Sequence, residues 1–275
     1  MINAIIFSKD RAAQLRLLIY SIQKNAPHAF NLNVIYKSSN EDFKSGYEKV
    51  KSEFSSICNF VEQSDDFKQD VLSLLDSNNE LSCFFTDDDI IYKPFDVNIV
   101  KDTIKTDEDI FCFSLRLGKN TTFCYTMNTP NVFKNYEEKD EILKWDWTVH
   151  YIDFGYPLSV DGHIFHTKDI LKLTKKVAFK DPNTYEAGLQ MFDYFPKQKM
   201  AAFSNSVLVN TPNNIVNTSI NNLNGLTYGV SAKDLNKDYL EGKIIDMEAM
   251  DFSGIKGCHQ EIEFKYKEHE YREVN

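Results

Sequence analysis

No apolar run in this 275-residue chain approaches the roughly 18 residues needed to cross a bilayer, so membrane association is expected to be peripheral at most. The N-terminus, MINAIIFSKDR, lacks the charged start, long apolar stretch and small-residue cleavage site of a secretory signal. No CxxC pair occurs, and the five cysteines, Cys58, Cys83, Cys112, Cys124 and Cys258, are an odd number. Cys83 and Cys112 lie in apolar runs and read as buried thiols, which suits a reducing cytoplasm. Positive charge is also short: the formal net charge is −10, which argues against a nucleic-acid partner. Glycine is missing where phosphate loops would need it. FSKDRAAQ, after the first apolar run, contains none, which removes both the GxGxxG dinucleotide loop and the P-loop.

What is present is apolar surface in two periods. At 42% hydrophobic and 13% aromatic, the chain can bury a sizeable core. NAIIFS, LNVIYKSS, NFVEQ and LSCFFT read as strands. DRAAQLRLLIYSIQKN puts Leu15, Leu18, Ile19 and Ile22 on one helical face, with Asp10 as candidate N-cap. NEDFKSGYEKVKSEF and DDFKQDVLSLLDSNN supply two more helices. The resulting βαβαβαβ order predicts an α/β fold: a mixed, mostly parallel sheet with helices on both faces. VNIVKDTIKTD reads as a further helix and IFCFSLRLG as a strand. Residues 119–153 read as irregular, YPLSVDGHIF as a strand, and TKDILKLTKKV as a helix capped by Thr167. DPNTYEAGLQMFDYF is a helix with Pro182 in its first turn, and QEIEFKYKE a late strand. One domain over 1–210 is expected, split near 96, with an extension over 211–275.

The most unusual stretch is CFFTDDDII, residues 83–91. Three adjacent carboxylates, Asp87, Asp88 and Asp89, close an apolar strand at the edge where α/β sheets bind ligands. Their repulsion and desolvation are costly unless offset, and a hard divalent cation is one way to offset them. The plain alternative is a solvated strand end. EF-hand spacing is absent. An aspartyl-phosphate phosphatase would place DxDx[TV] after its first strand, whereas these acids follow the fourth and Ile91 stands at the Thr/Val position.

Three segments together resemble glycosyltransferases of the GT-A type, close to the large family 2. IIFSKDRAAQLRLLIYSI is similar to that family's first strand and helix, FFTDDDIIYKPFD to its DxD motif, and YPLSVDGHIFHTKDIL with NTYEAGL to its acceptor side. The resemblance covers about residues 2–210. It implies transfer of a sugar from a nucleotide-diphosphate sugar, expected to be UDP-linked, to a glycan or lipid-linked acceptor. It also implies Mn²⁺ or Mg²⁺ to take up charge on the leaving diphosphate. By the resemblance, Asp89 would hold the metal, Asp87 the metal or ribose, and Asp88 would face the donor sugar or simply be exposed. Ser8, Lys9, Asp10 and Arg11 would meet the nucleotide, as would Asp65 and Lys68 after the third strand. A late metal ligand is commonly His; within VNTPNNIVN only asparagines occur, and Asn214 is taken for that place.

Glu186, at the start of the DPNTYEAGLQ helix, is the candidate general base. Inverting relatives place an acid there, usually in a Glu-Asp pair, whereas here Ala187 follows. Favourable charge at a helix N-terminus explains the same residue without catalysis. Asp161, beside Gly162, is the rival. His163 and His166 fall three apart in a strand and should point to opposite faces. Trp145 and Trp147, with Tyr151, suit either a sugar-stacking platform or a core. Two further functions stay open: a sugar-nucleotide nucleotidyltransferase, and a non-catalytic carbohydrate- or cation-binding protein.

Overall fold

A computed structural model describes residues 1–75, 78–192, 196–216 and 223–269. In chain order the elements are β1 (Ile2–Lys9), α1 (Ala12–Asn25), β2 (Phe30–Lys37), α2 (Glu41–Phe54), β3 (Cys58–Glu62), α3 (Phe67–Leu74) and β4 (Leu81–Thr86). Then come β5 (Asp89–Ile91), α4 (Val97–Thr106), β6 (Ile110–Ser114), β7 (Phe123–Cys124), β8 (Thr129–Pro130), β9 (Tyr136–Lys139) and β10 (Ile142–Asp146). The rest are β11 (His163–His166), α5 (Thr167–Lys176), α6 (Pro182–Leu189), β12 (Lys199–Phe203), β13 (Leu208–Asn210), α7 (Ala232–Leu240), β14 (Lys243–Ile245) and β15 (Tyr266–Glu268).

Nine strands form one sheet in the order β3-β2-β1-β4-β11-β6-β12-β10-β9. β3, β2, β1 and β4 pair in parallel, as do β6 and β12; only β11 and β10 run against the rest. The sheet is therefore mixed and mostly parallel, as the sequence predicts. β1 is buried at every position but Lys9 because both its faces are covered. Ile2, Ala4 and Ile6 pack under Leu15, Leu18, Ile19 and Ile22 of α1. Ile5 and Phe7 pack with Phe84, Phe67, Val71 and Tyr185 on the other face. The chain steps from β1 outward to β3, then returns to β4 on β1's other side. That reversal opens a crevice at the carboxyl ends of β1 and β4.

Several local expectations change. Asp10 does not cap α1: it sits at φ 57°, and its Oδ1 accepts a hydrogen bond from Ser39 N at 2.7 Å. Arg11 occupies the N-cap place without a side-chain cap. Thr167 is the first residue of α5, after His166 as cap. Of YPLSVDGHIF only the last three residues lie in a strand, β11; the preceding residues form a loop ending in Gly162 at φ +68°. A Cβ there would lie 2.8 Å from Leu208 Cδ1, so the position is closed to larger residues. Of QEIEFKYKE only Tyr266–Glu268 is strand. The 119–153 stretch, read as irregular, contains β9 and β10, a hairpin that extends the sheet. Exposed YEEK in β9 carries no apolar alternation, so its pairing left no mark in the pattern. The helix over DPNTYEAGLQMFDYF ends at Leu189, and residues 193–195 lie outside the described residues.

The C-terminal segment packs back on the first half. Asn236 of α7 donates to Asp42 O of α2 at 2.8 Å, and Lys49 Nζ lies 4.7 Å from the Tyr239 ring. Gly46 permits this approach, since a Cβ there would fall 2.1 Å from Asn236 Oδ1.

Candidate active site

A cavity of about 350 Å³ lies at the carboxyl ends of β1 and β4. Lys37 and Gln63, from the ends of β2 and β3, form one end; Asp161, Glu186 and His259 belong to its lining, as do Arg11, Asp87 and Asp88.

The three acids separate in role because of a turn. β4 ends at Thr86 and β5 begins at Asp89, leaving Asp87 and Asp88 in the turn between them. β5 pairs antiparallel with β13, which sets Asn210 opposite Asp89. Asp89 is fully buried; its oxygens accept from Thr86 N at 3.0 Å and Asn210 Nδ2 at 3.2 Å. Burial, with the charges of Asp161 and Asp88, pushes its carboxyl well above the usual range. Asp87 accepts from Ser8 Oγ at 2.9 Å, Lys9 N at 3.1 Å and Arg11 Nη1 at 3.0 Å. Burial pushes it up to about 6, against the opposing pull of Arg11. Asp88 faces the cavity and accepts from Arg11 Nη1 at 2.7 Å and Asn210 Nδ2 at 2.9 Å.

Arg11 ties this turn to the segment after β13. Its Nε donates to Asn214 Oδ1 at 2.7 Å and its Nη2 to Asn214 O at 2.5 Å. Burial opposes its charge, but Asp88 and Asp87 more than compensate and raise its pKa.

These contacts test the expected metal set. Both oxygens of Asp87 are engaged, Asp89 is absent from the cavity lining, and the Asn214 side-chain oxygen is held by Arg11. That set does not fit a cation. Among the described residues no group of three or more His, Cys, Asp or Glu is assembled for a metal. Asp88 also has a donor on each oxygen, Arg11 on Oδ2 and Asn210 on Oδ1, but two donors against the three on Asp87 leave each of its oxygens an acceptor site, so Asp88 is the acid that could anchor a cation together with substrate phosphates.

A second charged group adjoins the acids through Asn210 and Thr86. Asp161 Oδ2 is 3.3 Å from His259 Nε2 and 3.4 Å from Arg116 Nη1, while Oδ1 accepts from Thr86 Oγ1 at 2.9 Å. Burial would raise Asp161, but His259, Arg116 and Thr86 together hold it down to about 2. Glu186 Oε1 accepts from Val160 N at 3.1 Å, which clamps the loop before β11 onto α6. Burial and the Asp161 charge raise the Glu186 carboxyl, with Arg116 opposing. A raised pKa makes a carboxylate at a cavity a stronger base than an ordinary one.

Other expected site residues lie elsewhere. Asp10 is outside the lining, on Ser39. Asp65 is exposed and outside it. Lys68 donates to Lys175 O at 3.1 Å and Val177 O at 2.7 Å, joining α3 to the end of α5. His163 is buried among core residues, its Nδ1 3.0 Å from Pro157 O. Trp145 is core: its Nε1 donates to Phe154 O at 2.9 Å. Trp147 donates to Lys197 O, and Tyr151 is 83% exposed.

Sequence reasoning missed Arg116 and His259. Arg116 left a signal, a lone cation in the apolar run IFCFSLRLG. His259 left none in GCHQEI; a bridge between Asn210 and His259 carries it to the cavity.

No family model matches the chain. Over 188 residues it is 28% identical to the bifunctional glycosyltransferase pgtA of Dictyostelium discoideum, a match covering 62% of this chain and 24% of that protein. The chain thus spans about a quarter of that relative's length. Among solved structures, TarS 1–349 of S. aureus is 14% identical with a TM-score of 0.46, over 76% of this chain and 59% of that one. The galactosyltransferase LgtC is 12% identical with a TM-score of 0.37, over 70% and 67%. A cytidylyltransferase from Leptospira borgpetersenii is 12% identical with a TM-score of 0.40, over 72% and 76%. Overlaps this partial carry no inference about chemistry. The resemblance to glycosyltransferases read from the three sequence segments is met by a curated relative that is itself a glycosyltransferase.

Proposed function

We propose that this protein transfers a sugar from a nucleoside-diphosphate sugar, UDP-linked, to a hydroxyl of a glycan or lipid-linked acceptor. The observation that carries the reading is one cavity lined both by the Arg11-clamped acids of the turn after β4 and by Glu186 with its raised pKa. Ser8 and Lys9 shape the turn that receives the nucleotide. The Gln63 amide can both donate and accept, as the edge of uracil does. Glu186 takes the acceptor proton as the acceptor oxygen bonds to the anomeric carbon, and the diphosphate departs with the electron pair of the broken bond. A divalent cation, Mn²⁺ or Mg²⁺, held by Asp88 and the donor's phosphate oxygens, would neutralise the departing charge.

Residues 211–275 act in this reading as an extension that completes the site, supported by Asn214 on Arg11 and His259 on the cavity. No helix among the described residues is long and apolar enough to cross a membrane. The five cysteines are buried free thiols, in keeping with a reducing cytoplasm.

A thermal-shift panel of UDP-, GDP-, CMP- and dTDP-sugars, with and without Mn²⁺, tests the reading. A ligand at 100 times its Kd stabilises by about 2.7 kcal/mol, which such an assay resolves. A UDP-sugar should shift melting most, and release of UDP on prolonged incubation separates an enzyme from a binding protein. No shift with any nucleotide sugar overturns the reading.

A further inference from the structure

We propose that His259 is a further donor-binding residue, contacting the diphosphate of the nucleotide sugar with its ring oriented by Asp161. The inference rests on the reading above and assigns a residue that its sequence motifs do not contain.

The position is built. Asn210 N donates to Cys258 O at 2.9 Å, and Gln260 N donates to Asn210 O at 2.9 Å, so residues 258–260 are laid along β13 like an added strand. Gly257 permits the entry, because a Cβ there would lie 2.8 Å from Phe123 O. His259 then lines the cavity with its side chain 21% exposed and Nε2 on Asp161. Asp161 is in turn backed by the buried Arg116, whose Nε has no hydrogen-bond partner.

Connectivity places this group beside the acids. Asp88 accepts from Asn210, Asn210 donates to Thr86, and Thr86 donates to Asp161, which holds His259. A diphosphate lying in the cavity that Arg11 and His259 both line therefore meets His259 as a cationic donor close to the acids. The Asp161 hydrogen bond and charge outweigh the penalty of burial and raise the His259 pKa, which favours the charged ring. An anion gains from such a donor, whereas a neutral nucleoside does not.

The test compares UDP with uridine by calorimetry at pH 6.5 in EDTA, where no metal contributes. A charge-assisted hydrogen bond corresponds to roughly tenfold or more in affinity. His259→Gln should lower UDP affinity by that factor and leave uridine unchanged. The inference is overturned if UDP and uridine weaken together, if neither weakens, or if the wild-type protein binds UDP no better than uridine. A wild-type protein that binds no nucleotide sugar even with Mn²⁺ removes the glycosyltransferase reading itself, which is a different result. Should the variant fail to fold, modification of wild-type His259 by diethylpyrocarbonate, read by peptide mass, decides the matter. UDP should slow it and uridine should not; equal rates overturn the inference.

Discussion

The Arg11 guanidinium stands 2.7 Å from the Asp88 carboxylate, bridging residues 77 positions apart in the chain. The same nitrogen reaches Asp87, so one cation holds two acids of the turn while its other face holds Asn214. Removing it strands buried charge. Arg11→Ala should cost about 3–5 kcal/mol of stability, the scale of breaking a buried pair, and weaken nucleotide binding by about 1–3 kcal/mol. Asp10→Ala should leave nucleotide affinity intact, because Asp10 is turned to Ser39. Denaturant melts and UDP titrations of both variants check this; equal nucleotide losses would contradict it.

Asp88 and Asp89 should respond in the reverse of the order their motif suggests. Asp88→Asn should remove the Mn²⁺-dependent part of nucleotide binding, since Asp88 is the acid at the cavity with an acceptor site left on each oxygen. Asp89→Asn keeps an acceptor for Thr86 N in a position that already disfavours charge. It should bind Mn²⁺ and nucleotide as the parent does. Titration of each variant with Mn²⁺ at fixed UDP separates the two.

Glu186→Gln should lower kcat by roughly 10²–10⁴-fold with donor affinity unchanged. Its raised pKa shifts the acidic limb of the kcat/KM profile above the ordinary carboxylate range, with activity rising as pH rises through it. A variant that turns over normally yet melts earlier would make Glu186 only a clamp on Val160.

Stability on the acid side should depend on Asp161. Its folded pKa of about 2 lies below its ordinary 3.8, so its contribution is complete above pH 3.8 and is lost as pH falls toward 2. The size is about 2 kcal/mol, from 1.36 kcal/mol per unit. His259 acts oppositely: its pKa is raised, so its contribution is present below 6.5 and lost as pH climbs through the folded value. Urea melts of wild type and Asp161→Asn between pH 2 and 5 read the difference; parallel curves would show Asp161 to be uncoupled from folding.

Short-range pattern determined the architecture. The 3.6-residue spacing of Leu15, Leu18 and Ile22, the unbroken apolar character of Ala4 to Phe7, and Pro182 with its Asp181–Thr184 capping box are all written within one or two turns of chain. Periodicity depends on near neighbours, so α/β order and the acidic end of β4 were readable from the sequence, whereas the caps expected at Asp10 and Thr167 were not, because Asp10 turns to Ser39 and α5 begins at Thr167 itself. Tertiary structure alone decided which of the acids line the cavity and which is buried away from it. Asp89 is drawn inward by Asn210, 121 residues away, and Asn214 is claimed by Arg11 across 203. Likewise His259 reaches Asp161 only because β13 carries its segment to the cavity. A carboxylate's role is set by the charges and donors around it, and those came from parts of the chain that no local pattern connects.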